Sequence, residues 1–189
     1  MTVKALYDEL SYVNHSREKR LYYANLLLDH PELTQPLLDI LFMVDDKISC
    51  RAAWVFEFLC GENLDAAIPH LDYFTAHMHK VHLDSAVRPV AKVCEYLAKA
   101  YYKKEDNAIK KALLPRHQTQ IIELCFDYMI SDQKVAPKAY AMITLSLFGK
   151  DYDWVHPELV MILERDFSSQ SAAFKARARH ILKKLKKNS

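Results

Sequence analysis

Four cations stand at related places in this chain. Arg51, Arg88, Lys138 and Lys175 each lie near small residues, as in Arg51-Ala52-Ala53 and Lys138-Ala139. The intervals between them are 37, 50 and 37 residues. If the segments carrying them are equivalent helices stacked in series, the cations form a row along one face, continued by Arg177 and Arg179. Such a row suits an anionic partner, either an acidic peptide or the phosphates of a nucleic acid. The competing reading is structural. Each cation then pairs with an aspartate in a neighbouring turn, Asp46, Asp84 or Asp132, and the pairs tie one hairpin to the next.

Trp54 and Glu57 lie three apart, so on a helix they share a face. An aromatic ring and a carboxylate in a groove suit a base or a cation; core packing is the alternative for Trp54. His77, His79 and His82, with Asp72 and Asp84 nearby, raise a metal reading. His79 and His82 can share a helix face, but His77 and His79 cannot, because two residues rotate by about 200°. Closed zinc sites need four spaced ligands, often with cysteine, and no cysteine is close. Solvated histidines at a helix end are the expectation, with no metal and no cofactor. Asp45-Asp46 reads as a helix cap. Tyr22-Tyr23 and Tyr101-Tyr102 read as one buried and one exposed ring each. Nothing fixes a nucleophile, base and acid in one place, so no catalytic set is expected.

Composition narrows the function classes. The chain has 189 residues, 51% hydrophobic and 26% charged, which suits one globular domain with a sizeable core. Gly61 and Gly149 are the only glycines, where average usage gives about a dozen. Phosphate-cradling loops and nucleophile elbows need glycine for their backbone angles, so a Rossmann or P-loop nucleotide site is excluded. Net charge is +2, but residues 171–189 hold Lys175, Arg177, Arg179, Lys183, Lys184, Lys186 and Lys187 and no acid. Without those seven, 19 basic residues face 24 acids, so residues 1–170 sum to −5. Cys50, Cys60, Cys94 and Cys125 show no CxxC spacing and sit among apolar neighbours, as buried thiols in a reducing compartment do. Met1 to Leu10 has no secretory pattern, and no apolar run approaches the roughly 20 residues that span a bilayer. The expected location is the cytoplasm, without membrane insertion.

The elements that must carry these residues are helices. Val87, Val90, Ala91, Cys94, Leu97, Ala98 and Tyr101 recur at spacings of three and four, as do Phe174, Ala178, Ile181, Leu182 and Leu185. No stretch alternates as a strand does. Thr2 caps a first helix to about Val13, and Ser16 caps a second to about Asp29. A third begins near Pro36 and runs to Val44. Asp45 or Asp46 caps a fourth that ends at Gly61, read as a left-handed terminator. Further helices cover about 65–80, 84–103, 117–130, 133–148, 156–166 and 170–187, with Gly149 closing the eighth. Residues 103–116 interrupt the series and hold a short helix from Asp106 to Leu114. One hairpin cannot bury its apolar face alone, whereas stacked neighbours share a continuous core. The C-terminal helix docks by its apolar stripe and turns its lysines to water.

Asp46 with Arg51, Asp84 with Val87 and Arg88, and Asp132 with Val135 and Lys138 place an aspartate and a cation, and in the last two sets a valine, around the start of a second helix. That pattern resembles HEAT repeats. Pro69 and Pro157 fit the proline of a first helix, while Ser168 and Ser169 replace the last aspartate. The resemblance covers residues 31–187 and implies an all-α, right-handed α-solenoid of about five helical hairpins. Its divisions are an N-terminal hairpin at 1–30, repeats at 31–61, 64–103, 117–149 and 156–187, and an insertion at 104–116. HEAT-like DNA glycosylases combine aromatics, an acid and an arginine on such a face, a likeness of architecture only. The chain also resembles short bacterial HEAT-like proteins, some of which carry the name adenylosuccinate lyase. That enzyme's mobile loop needs Met-Pro and Lys-x-Asn-Pro after its serines. Ser168-Ser169-Gln170-Ser171 has neither, so lyase activity is not expected. The reading is a non-enzymatic scaffold that binds a protein or peptide on its concave face through Arg51, Trp54, Arg88, Lys138, Lys175, Arg177 and Arg179. Nucleic acid is the alternative partner.

Overall fold

A computed structural model describes residues 2–188, with side chains through Lys186. Lys187, the last cation of the basic tail, therefore lies outside the described side chains. Among the described residues the secondary structure is entirely helical. The helix starts follow short polar side chains. Thr2 accepts from the Ala5 N–H at 3.2 Å and opens α1 (Val3–Leu10). Ser16 accepts from Lys19 at 3.2 Å and opens α2 (Arg17–Asp29). Asp46 accepts from Ile48 at 2.9 Å and opens α4 (Lys47–Glu62), after α3 (Thr34–Leu41). Each such bond satisfies a helix-terminal N–H that has no partner within the helix.

The helix expected over 65–80 is broken. Residues Leu64–His70 form a 3-10 turn around Pro69, α5 covers only Leu71–His77, and Met78–Lys80 is again 3-10. Proline lacks the N–H that an α-helix needs and crowds the preceding turn. Then follow α6 (Asp84–Tyr101), the short α7 (Ala108–Ala112) of the insertion, α8 (Pro115–Ile130), α9 (Val135–Phe148), α10 (Val155–Asp166) and α11 (Ala172–Asn188). Ser171 Oγ accepts from the Phe174 N–H at 3.3 Å, so the serine before Ala172 is a cap.

The helices form two layers. In one, α2, α4, α6, α9 and α11 pack each against the next. In the other, α1 packs on α3, α5 on α8 and α8 on α10, with α3, α8 and α10 covering the first layer. Ala52, Ala53, Ala91, Ala98 and Ala141 are buried, and their small side chains let neighbouring helices approach. Phe56, Phe74, Phe148 and Phe174 are fully buried among leucines and isoleucines, each contributing about 1.5–3 kcal/mol. The four cysteines are buried and free. No described helix is long and apolar enough to cross a membrane.

Three local expectations are corrected. Neither glycine takes a positive φ: Gly61 lies inside α4, which runs on to Glu62, and Gly149 closes α9 as expected but in the right-handed region. Gly149 answers a packing need instead, because a Cβ there would overlap the His156 ring. Tyr101 and Tyr102 are both half-buried, unlike Tyr23 and the exposed Tyr22.

Candidate functional site

Trp54 lies on α4 in the first layer, 9% exposed. Its position follows from a proline one helix away. Pro89 has no N–H to offer the Ser85 carbonyl four residues earlier in α6, so that oxygen lacks its helical donor. The Trp54 indole Nε1 donates to it at 2.8 Å. One ring therefore repairs the helix and fastens α4 to α6. Its remaining edge meets the His15 ring, centroids 4.9 Å apart, and lies beneath the Arg20 guanidinium at 5.9 Å.

Glu57 is one turn further along α4 and almost fully buried. Arg88 of α6 donates to both its oxygens, Nη1 to Oε1 at 3.1 Å and Nη2 to Oε2 at 2.5 Å. Burial works against the charge on Arg88, but Glu57 and then Tyr140 outweigh it, and its pKa is raised. Arg20 lies close to this pair. Its Nε donates to the Ser16 carbonyl at 3.3 Å and Nη2 to the His15 carbonyl at 2.5 Å. Burial and the repulsion of Arg88 lower its pKa. His15, Arg20, Trp54, Ser85, Arg88 and Pro137 line a cleft of about 240 Å³, whose mouth is bridged by Lys134 and Asp84 at 2.7 Å.

The same surface continues along the helices. Arg17 and Arg20 lie over the Phe58 ring at 5.7 and 4.9 Å. Lys92 lies over Tyr96 at 4.9 Å and Tyr140 at 4.5 Å while donating to Glu95 at 2.8 Å. Glu95 is buried and also pairs with Lys99, so one carboxylate serves two ammonium groups. Cations over ring faces gain electrostatic attraction and are held in fixed positions. Arg17, Arg20, Phe58, Lys92, Tyr96 and Tyr140 escaped the sequence reading. The available signal was spacing: Trp54 with Phe58, and Arg88 with Lys92 and Tyr96, repeat every four residues along one helix stripe.

The row of equivalent cations is distributed differently. Arg51 donates to the Leu10 carbonyl at 3.3 Å and to that of Ser11, closing the end of α1. Arg88 faces the cleft. Lys138 is 6% exposed and acts electrostatically on Asp166 at the end of α10. Lys175 is half-buried, Arg177 is exposed, and Arg179 lies over Phe167 at 5.4 Å. Two of the three expected aspartate partners are engaged elsewhere. Asp46 caps α4 and accepts from the Tyr7 hydroxyl at 2.7 Å, and Asp84 pairs with Lys134. The structure thus brings Trp54 and Arg88 together and leaves Arg51, Lys138 and the α11 cations elsewhere.

Other candidates resolve individually. His82 lies 3.3 Å from Asp45, and His77 Nδ1 lies 2.9 Å from the Tyr73 carbonyl oxygen. Among the described residues no three His, Cys, Asp or Glu side chains are arranged to hold a metal. Burial pushes the Cys94 thiol up to about 12 and raises Cys60 and Cys125 as well, so these sulfurs stay protonated and weakly nucleophilic at neutral pH. No protein-family model matches this chain. Neither a curated protein nor a solved structure gives a significant match.

Proposed function

We propose that this chain is a non-enzymatic interaction scaffold, a right-handed α-solenoid of about five HEAT-like hairpins. Its partner is an acidic protein segment bound on the exposed face of α2, α4, α6 and α9. One observation carries this reading: the strip of cations seated on aromatic rings, from Arg17 and Arg20 over Phe58 to Lys92 over Tyr140. Arg17 and Arg20 have no carboxylate within ion-pair distance among the described residues, and Arg17 is exposed, so its charge is open to a partner. The rings add apolar area beside it. Pre-ordered side chains lose less entropy on binding than free ones.

A second reading is nucleic acid, favoured by the interleaving itself, since single strands are bound by cations that track phosphates and rings that stack on bases. Fluorescence anisotropy separates the two, with a labelled Glu-rich peptide and labelled single- and double-stranded DNA at about 50 and 200 mM salt. Saturable peptide binding that is lost in Arg17→Ala/Arg20→Ala/Lys92→Ala supports the scaffold. DNA binding with a steep salt slope and the same loss moves the assignment to nucleic acid. No binding of either probe at low salt removes the anionic partner.

A further inference from the structure

On the opposite layer, three large apolar side chains are exposed, and two of them, Ile130 and Trp154, line one groove. Ile130 is 59% exposed, Trp154 50% and Met161 55%. Trp154 stacks on Phe126, with centroids 5.4 Å apart and planes 26° from parallel. Phe126 and Ile130 are four apart on α8. Trp154, at the start of α10, shares a stripe with Glu158, Met161 and Ile162. Between the helices runs a groove of about 440 Å³ lined by Phe126, Ile130, Trp154 and Ile162. A contiguous apolar patch with an exposed tryptophan marks an interaction surface on a folded protein.

The rim of this groove says what fits it. Glu123, Asp127 and Glu158 line it, with no cation among the lining residues. None of the three carboxylates forms an ion pair among the described residues, whereas Glu57, Asp72, Asp84, Glu95 and Asp166 all do. The groove therefore pairs an apolar floor with uncompensated negative charge. We infer that the groove between α8 and α10 docks a basic amphipathic helix of a partner protein, with its apolar side chains on Trp154 and Phe126 and its lysines or arginines on the rim carboxylates. This is the helix-in-groove mode of recognition. A second copy of this chain suits the groove poorly. Its basic helix α11 already buries Phe174, Ala178, Ile181 and Leu185, and among the described residues it presents no exposed large apolar side chain between its cations.

The probe is a fluorescein-labelled Leu/Lys peptide of about 18 residues, with leucines at helical spacing, titrated with the full chain. Saturable binding is expected, with no binding of the matching Leu/Glu peptide. Trp154→Ala should weaken it by about tenfold or more through loss of the anchor. Glu123→Gln/Asp127→Asn/Glu158→Gln, all at exposed positions, should weaken it and flatten its salt dependence. Neutralising three acids elsewhere, Glu18→Gln/Asp29→Asn/Asp65→Asn, should leave it unchanged. Wild-type affinity in both the Trp154 and the rim variants overturns the inference. So does Trp154-dependent self-association in sedimentation, which would assign the groove to a second copy. Unchanged thermal unfolding of the rim variant keeps the result independent of folding.

Discussion

Replacing Arg88 with methionine tests whether the cleft is held by a buried ion pair. The Glu57 side chain is 9% exposed and that of Arg88 33%. Methionine keeps most of the apolar stem and a similar helix propensity, so the change removes mainly the guanidinium fork. Leaving a fully buried charge without its partner costs about 3–5 kcal/mol. Arg88 is one-third open to water, and Arg20 places a second cation near Glu57. The expected loss is therefore smaller, about 2 kcal/mol. Glu57→Leu leaves a cation that can turn to solvent and should cost about 1 kcal/mol. The double variant should be more stable than the sum predicts, with a coupling of about 1–2 kcal/mol. Urea unfolding with linear extrapolation measures all three. A loss under about 0.5 kcal/mol for Arg88→Met, or an additive double variant, would show that water screens the pair and that it does not order the cleft.

The two glycines should respond in opposite directions. Gly61→Ala finds its nearest neighbour, the Tyr96 hydroxyl, at 3.6 Å and should stabilise by about 0.5–1 kcal/mol, while Gly149→Ala meets the His156 ring and should cost about 1–3 kcal/mol. Thermal melts read both, at about 2–4 °C per kcal/mol for a chain of this size; equal signs would refute the packing argument. Arg116 first and then His117 hold the Asp72 carboxyl well below the usual carboxylate range. Its contribution is present above the unfolded value of about 3.9 and is lost as pH falls below that toward the folded pKa. Asp72→Asn should lower stability at neutral pH and flatten the acid limb below about pH 4; an unchanged limb would assign acid sensitivity to other carboxylates. The Tyr128 hydroxyl is buried without a hydrogen-bond partner among the described residues, so Tyr128→Phe should be neutral or stabilise by about 1 kcal/mol. A loss of that size would show that the hydroxyl is bonded.

The helices were legible because their causes are local. Thr2, Ser16 and Asp46 announce helix starts by side-chain chemistry within three residues, and the stripe from Val87 to Tyr101 declares which face of α6 is buried. Leu64–Lys80 was misread because one proline changes the helix type without erasing the apolar spacing. Gly149 closes its helix as expected, but a glycine's local signature does not separate a left-handed cap from a close ring contact, nor from an ordinary helix position such as that of Gly61. The site depended on longer distances. Trp54 meets Ser85 across 31 residues, Glu57 meets Arg88 across 31, and Arg51 reaches Ser11 across 40. Two equal intervals of 37 residues suggested that Arg51 matches Arg88 and Lys138 matches Lys175, yet Arg51 holds backbone carbonyls and Arg88 a buried carboxylate. Sequence alone determined that this chain makes amphipathic helices with little backbone freedom, because propensity, capping and periodicity act within a few residues. Tertiary structure decided which cations share a cleft, that Trp54 supplies the donor Pro89 lacks, and that Trp154 stays exposed among unpaired acids, because stacking helices chooses each side chain's neighbours.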